Sequence, residues 1–165
     1  MANCCGFDMK VQGRPEKVDE FVKLMDNKTS PFRIYSADLI LAEEKDGLKE
    51  VLIAGDCAWS VLTSMRDGRN PSLESESKRL GIGISVLSEE CGLEFQECFA
   101  VVKGEVIKDE CKDWVRYDLT CYESIDELNE IHGTRFNEDD FDEDGYHEEG
   151  GIVWEHVDMA PMLMA

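Results

Sequence analysis

Residues 5–25 read CGFDMKVQGRPEKVDEFVKLM, and this stretch decides the fold class. Its first eight residues alternate between two faces, and the apolar side chains on one face are Phe7, Met9 and Val11. Alternation of this kind is typical of a β-strand with one buried face. A turn at Gly13-Arg14-Pro15 follows, and Pro15 suits the first turn of a helix.

The residues after this turn change to helical spacing. Apolar side chains recur at intervals of three and four residues at Val18, Phe21, Val22 and Met25. This spacing predicts an amphipathic helix from Glu16 to Met25 with one buried face. The polar segment from Asn27 to Pro31 ends it.

The next segments predict two strands, a second helix and a further strand. Strands over residues 33–43 and 48–55 are joined by the turn Lys45-Asp46-Gly47. The apolar positions of residues 80–91 fit a helix and also a strand, and Gly92, just past the end, favours the helix. Residues 93–102 predict a strand, and Ser124 predicts the N-cap of a later helix that ends at Gly133.

The resulting order, β-α-β-β-α-β, predicts an α+β fold. In its ferredoxin-like form, an antiparallel sheet carries two helices on one face. We expect residues 1–109 to form this domain and residues 110–165 to form an acidic C-terminal extension packed on it.

Several short motifs carry a family resemblance. The chain opens with Met-Ala-Asn-Cys-Cys, its first strand ends in Val-Gln-Gly, and Pro-Glu-Lys-Val-Asp-Glu-Phe follows at 15–21. With Ala58-Trp59-Ser60 and the segment 87–105, these motifs resemble the YubB-type ferredoxin-like family of plasmid and phage proteins, over about residues 2–109. The resemblance implies a fold and a mobile-element origin, and no reaction.

The charge of the chain is strongly uneven. Residues 1–83 carry 14 Asp and Glu against 12 Lys and Arg, whereas residues 84–165 carry 23 against 5. A surface with a strong field of one sign repels nucleic acid and anionic membranes and attracts basic proteins and cations. The acidic region has two interpretations: it keeps the protein in solution, or its carboxylates imitate a phosphate backbone.

The second interpretation gives the favoured function. We expect a non-enzymatic DNA mimic that binds and inhibits a basic nucleic-acid-handling host protein, of the anti-restriction or anti-CRISPR type. The predicted partner-binding residues are Glu138, Asp139, Asp140, Asp142, Glu143 and Asp144, with Trp154 as an interface anchor. The sequence leaves open the identity of the target and whether the protein is a monomer or a homodimer.

The alternative function is a metal-binding or small-molecule-binding accessory protein. Asp140, Asp142 and Asp144 have the spacing of the first half of a calcium loop, and Glu148 falls at its ninth position. The twelfth position, which should carry a bidentate Glu, is Gly151. We therefore expect no strong metal site.

Other functional classes have little support in the sequence. Gly81-Ile82-Gly83 lacks the third glycine of a dinucleotide loop, so we expect no cofactor. The basic pairs at 66–69 and 78–79 are too few for direct nucleic-acid binding. Without a signal peptide or an apolar run long enough to span a membrane, the protein is expected to be cytoplasmic, with its seven cysteines as free thiols.

Overall fold

The computed structural model describes residues 3–90, 95–113, 115–149 and 154–165. The chain divides into two compact units. Unit 1 consists of Met1–Lys112 together with Ile152–Ala165, and unit 2 is the intervening segment Asp113–Gly151. The residues expected to form one acidic extension, 110–165, are therefore shared between the two units.

Unit 1 begins with the predicted strand and helix, and both are confirmed. β1 is Cys4–Gly13, and its alternate side chains are buried at Cys5, Phe7, Met9 and Val11. α1 is Pro15–Leu24, with proline in its first turn and with Val18 and Phe21 buried. One face of each element is therefore apolar, and these two faces pack in the same core.

The predicted hairpin follows and is also confirmed. β2 is Ile34–Lys45, and it pairs antiparallel with β3, which is Leu48–Ala58. The two turn residues, Asp46 and Gly47, have φ angles of 55° and 79°. Both lie in the left-handed region that a two-residue type I′ hairpin requires.

The predicted helix over residues 80–91 is wrong. The second helix, α2, is Leu73–Leu80, and β4 is Gly83–Glu90. Ser72 caps α2 by accepting a hydrogen bond from the Ser75 N–H at 3.1 Å, and Gly81 ends the helix at φ 66°. Because Gly81 stops the helix, the alternation of β-branched residues that follows it forms a strand.

Two more strands complete an antiparallel sheet of six. β5 is Phe95–Val102 and β6 is Glu105–Asp113, and the strand order is β2-β3-β1-β4-β5-β6. β1 pairs with both β3 and β4, so it lies inside the sheet. The α+β class is confirmed.

The core of unit 1 lies between the helices and one face of this sheet. Phe21 of α1 and Leu73 of α2 belong to the same buried cluster as Met9, Ile53 and Ile84 of the strands. Burying a side chain of this size stabilises the fold by about 1.5–3 kcal/mol.

Two cysteines of this core, Cys5 and Cys57, face each other across β1 and β3. A hydrogen bond with Cys5, and then burial, raise the pKa of the Cys57 thiol. None of the six cysteines among the described residues forms a disulfide, and Cys91 lies outside them.

The described part of unit 2 contains a two-stranded antiparallel sheet, one α-helix and two short 3-10 helices. β7 is Val115–Asp118 and β8 is Tyr146–Glu149. The helix α3 is Ile125–His132, capped by Ser124, whose hydroxyl accepts a hydrogen bond from the Glu127 N–H at 3.1 Å. Gly133 ends the helix at φ 67°, so both predicted helix boundaries are confirmed.

The chain then returns to unit 1 and crosses the sheet. The Ser85 hydroxyl lies 3.0 Å from His156 Nδ1 and accepts a hydrogen bond from the Val157 N–H at 3.2 Å. Met159 is fully buried beside Gly83, and a short last helix, α4, is Ala160–Met164. Since Gly83 and Ser85 alternate with core residues of β4, this C-terminal segment covers the sheet face opposite the two helices.

Among the helices of the described residues, none has both the length and the apolar character that crossing a bilayer demands.

Candidate functional site

Unit 2 contains an open groove of about 980 Å³. Six of the fifteen described residues that line it carry carboxylates, namely Glu123, Asp126, Glu138, Asp142, Glu143 and Asp144. Within the described part of the chain, no Lys or Arg lines this groove. A groove with carboxylates on its walls favours a positively charged ligand or partner.

The first wall of the groove is the start of α3. Glu123 and Asp126 flank the capping residue Ser124, and the Glu123 N–H donates a hydrogen bond to Glu127 Oε2 at 2.6 Å. The N-terminus of a helix carries a partial positive charge, which stabilises nearby carboxylates by about 0.3–1 kcal/mol. The N-terminus of α3 therefore favours the acidic residues that lie beside it.

The second wall is the loop between α3 and β8. The carboxylate of Asp140 accepts a hydrogen bond from the Asn137 N–H at 2.8 Å. Asp142 Oδ1 accepts from the N–H groups of both Asp144 and Tyr146, each at 2.9 Å. These two aspartates fix the course of the loop through its own backbone.

The remaining acidic side chains of the second wall are not used in this way. Glu138, Glu143 and Asp144 are exposed, and no side-chain hydrogen bond or ion pair joins them to another described residue. Their charges are therefore available to a partner.

An aromatic cluster supports the groove. The ring of Phe136 lies 5.0 Å from that of Tyr117, 5.8 Å from that of Phe141 and 4.4 Å from the His147 imidazole, measured between centroids. Such pairs contribute about 0.5–1.5 kcal/mol each beyond their buried area. Phe136 and Phe141 also line the groove, and aromatic faces attract Lys and Arg side chains through cation–π interactions.

The structure places the predicted partner-binding residues as follows. Glu138, Asp142, Glu143 and Asp144 line the groove. Asp139 and Asp140 belong to the same loop but are not part of the lining. Trp154 is half-buried and belongs to unit 1, so it lies in a different unit from the six acidic residues.

Sequence reasoning missed two residues of the groove, Glu123 and Asp126. A signal for them is present in the sequence, because both lie within two residues of Ser124, the predicted helix cap. Acidic residues next to this cap necessarily lie at the N-terminal end of the helix.

The carboxylates of the Asp140–Asp144 loop do not converge on one point. Asp140 and Asp142 are engaged with backbone N–H groups, and the side chain of Glu148 lies outside the described residues. Over residues 3–90, 95–113, 115–149 and 154–165, no group of three His, Cys, Asp or Glu side chains is placed to hold a metal ion. In the described part of the loop, the carboxylates are therefore arranged to support the backbone and to face solvent.

Comparison with known proteins gives no relative. No protein-family model, curated protein or solved structure matches this chain. The groove in unit 2 is therefore the feature from which a function is inferred.

Proposed function

We propose that this protein is a non-enzymatic inhibitor that binds a basic nucleic-acid-handling protein through the groove of unit 2. The observation that carries the proposal is the lining of this groove, with six carboxylates and no Lys or Arg among its described residues. Lys and Arg side chains that normally contact phosphates would enter the groove and pair with these carboxylates. Nucleic acid would then be excluded from the partner.

The charge of unit 2 supports this proposal. Its 39 residues contain 14 Asp and Glu against two Lys and Arg, which gives a net charge of −12 out of −20 for the chain. Double-stranded DNA carries about one negative charge per 1.7 Å of its axis, and its protein partners present matching basic surfaces. A field of this strength also accelerates association with a basic partner.

The order of the elements in unit 1 supports the ferredoxin-like part of the proposal. We infer that β1 to β4 with α1 and α2 form a ferredoxin-like arrangement, since the chain order is β-α-β-β-α-β and the sheet order is β2-β3-β1-β4. This arrangement agrees with the proposed relation to the YubB-type family. Plasmids and phages gain from inhibitors of restriction or CRISPR enzymes, which are the proposed class of partner.

A charge-reversal experiment tests the proposed function. The triple variant E138K/E143K/D144K changes three groove residues whose side chains make no hydrogen bond or ion pair with another described residue, so the fold should survive. The wild-type protein should capture a basic host protein, and short duplex DNA should displace this host protein. The triple variant should fail to capture it. Capture should also weaken steeply between about 50 and 200 mM salt, since charge pairs are screened.

The matched control is E43K/E105K/E110K, which makes the same change in charge on exposed positions of unit 1. This variant should retain most of the capture. If the groove variant and the control bind the partner equally well, or if the partner still binds DNA while it is captured, then the acidic groove does not imitate nucleic acid.

A further inference from the structure

Unit 1 contains a cavity of about 340 Å³ whose lining is strongly basic. Five basic side chains surround it: Arg14, Lys17, Lys78, Arg79 and Lys103. The whole chain has only 17 Lys and Arg and a net charge of −20. No Asp or Glu is among the described residues that line this cavity. The sign of the charge here is therefore opposite to that of the groove in unit 2.

Three distant parts of the chain supply these residues. Arg14 and Lys17 lie at the start of α1, Lys78 and Arg79 lie in the last turn of α2, and Lys103 lies in the turn between β5 and β6. In the sequence, Lys78-Arg79 was an isolated basic pair. The fold joins it to three further cations, which sequence spacing did not indicate.

The backbone around the cavity is tightly fixed. The Ser77 hydroxyl donates to the Ile82 carbonyl at 2.7 Å and accepts from the Gly104 N–H at 3.1 Å. The Lys103 N–H donates to the same carbonyl at 3.0 Å. The end of α2 and the β5–β6 turn are therefore connected by hydrogen bonds through one buried serine.

The backbone is fixed at the two lysines next to this connection, while both lysine side chains are exposed. Lys103 has a φ angle of 51°, in a region that residues other than glycine rarely adopt. A Cβ atom at Gly104 would lie 2.6 Å from Cβ of Lys78, so the stem of Lys78 rests against this glycine. A backbone that is already fixed loses less entropy when the site takes a ligand.

The basic groups differ in how far they are neutralised. Arg79 pairs with Glu76 at 2.6 Å and with Glu20 at 2.7 Å, and Lys17 lies 3.7 Å from Glu20. Within the described residues, no ion pair involves Arg14, Lys78 or Lys103. Three uncompensated positive charges around one cavity repel each other, and an anion would relieve this repulsion.

We propose that this cavity binds a small molecule that carries a phosphate group and an apolar part. Lys78, Lys103 and Arg14 hold the phosphate, since Lys and Arg are the usual phosphate ligands among side chains. Leu48, Leu80 and Leu163 complete the lining and contact the apolar part. The small volume and the strong negative charge of the chain favour such a molecule over a nucleic-acid backbone.

Calorimetric titration with phenyl phosphate tests this site, because this probe joins a phosphate to an apolar ring. Binding should be saturable and tighter than that of inorganic phosphate. In the variant K78Q/K103Q the dissociation constant should rise at least about tenfold, since each lost charge-assisted hydrogen bond weakens binding by about that factor. The control K23Q/K28Q removes the same charge from exposed positions of unit 1 outside the cavity. This control should change the dissociation constant less than about twofold.

Circular dichroism shows whether the variants are folded, and R14Q provides a second variant if K78Q/K103Q is not. Three results would overturn the proposal. The first is an absence of saturable binding up to about 10 mM phenyl phosphate. The second is equal weakening in the cavity variant and the control. The third is binding of a short DNA duplex at these lysines that phenyl phosphate does not compete.

Discussion

Met159 is the side chain that fixes the C-terminal segment to the sheet. It is fully buried, and a Cβ atom at Gly83 would lie 2.8 Å from its sulfur. We expect Met159→Ala to lower the free energy of unfolding of unit 1 by about 2–5 kcal/mol, because the substitution leaves a cavity above β4. Urea denaturation followed by circular dichroism measures this change.

Met164 provides the matched control, since it lies in the same segment but is 60% exposed. Met164→Ala should change the free energy of unfolding by less than about 0.5 kcal/mol. Equal effects of the two substitutions would show that the segment is not packed on the sheet through Met159.

His156 gives the C-terminal segment a dependence on pH. Burial lowers the pKa of His156, which also lies 3.0 Å from the Ser85 hydroxyl through Nδ1. Its pKa is about 6.5 in an unfolded chain, so the unfolded state binds a proton at a higher pH than the folded state does. The neutral imidazole therefore contributes fully to the free energy of unfolding above about pH 6.5. This contribution is lost as the pH falls below that value.

The test compares the wild-type protein with His156→Gln. Between pH 7.5 and 5.5 the wild-type protein should lose more free energy of unfolding than the variant, in denaturant titrations at each pH. The carboxylates of the chain titrate in both proteins, so the difference between the two reports on His156. Parallel pH profiles would contradict this assignment.

The sequence indicates part of the groove, but it does not indicate that Lys78 and Arg79 join further cations in a cavity. Glu138, Glu143 and Asp144 belong to one dense acidic run, so composition alone pointed to them. Lys103 is 25 residues from Lys78 and reaches it only through pairing of β5 and β4. Convergence of this kind depends on the order of strands in the sheet, which local spacing does not determine.

The clearest periodicities in the sequence predict the correct elements. β1 and α1 have strict spacings of two and about three and a half residues, and the β2–β3 hairpin has a glycine turn. The second helix was misplaced because residues 80–91 fit both periods. Ser72 and Gly81 cap the two ends of α2. Because Gly81 ends the helix, the residues after it form a strand.

Ser72 should therefore contribute measurably to stability. Its hydroxyl accepts from the Ser75 N–H, and its own N–H donates to the Ser75 hydroxyl at 2.8 Å. Ser72→Ala should cost about 1 kcal/mol of unfolding free energy, measured by thermal or urea denaturation. Ser72→Asp keeps a capping oxygen and adds a favourable charge at the helix N-terminus, so it should restore most of the loss. An equal loss in both variants would contradict the capping role.

The two units should differ in stability. Unit 2 has 39 residues, and Leu128 is its one fully buried hydrophobic side chain in the described part of the chain. Segments of this size rarely bury enough apolar surface for high stability. Amide hydrogen exchange should therefore be faster in peptides from unit 2 than in peptides from β1 and β4.

Salt should reduce this difference. Unit 2 has a net charge of −12, so its carboxylates repel each other. Raising the ionic strength from about 0.01 to 0.15 M shortens the screening length from about 30 to 8 Å and weakens this repulsion. Exchange in unit 2 should slow with added salt, while exchange in β1 and β4 serves as the control and should change little. Uniform protection of both units at low salt would contradict the prediction.

The acidic character of the second half could be read from composition, but the path of the chain could not. The hydrogen bonds between Ser85 and residues 156 and 157 join positions about 70 residues apart. No local pattern in the sequence indicates which sheet face such a segment will cover. The sequence therefore does not predict that Ile152–Ala165 belongs to unit 1.

The return of the chain has a consequence for proteolysis. Unit 2 interrupts unit 1 between Lys112 and Ile152, so a single cut inside unit 2 separates the chain into two polypeptides without dividing unit 1 in space. The shorter polypeptide would still be held by Met159 and by the hydrogen bonds to Ser85. The nicked protein should elute from a sizing column like the intact 18.7 kDa chain and yield two bands only after denaturation.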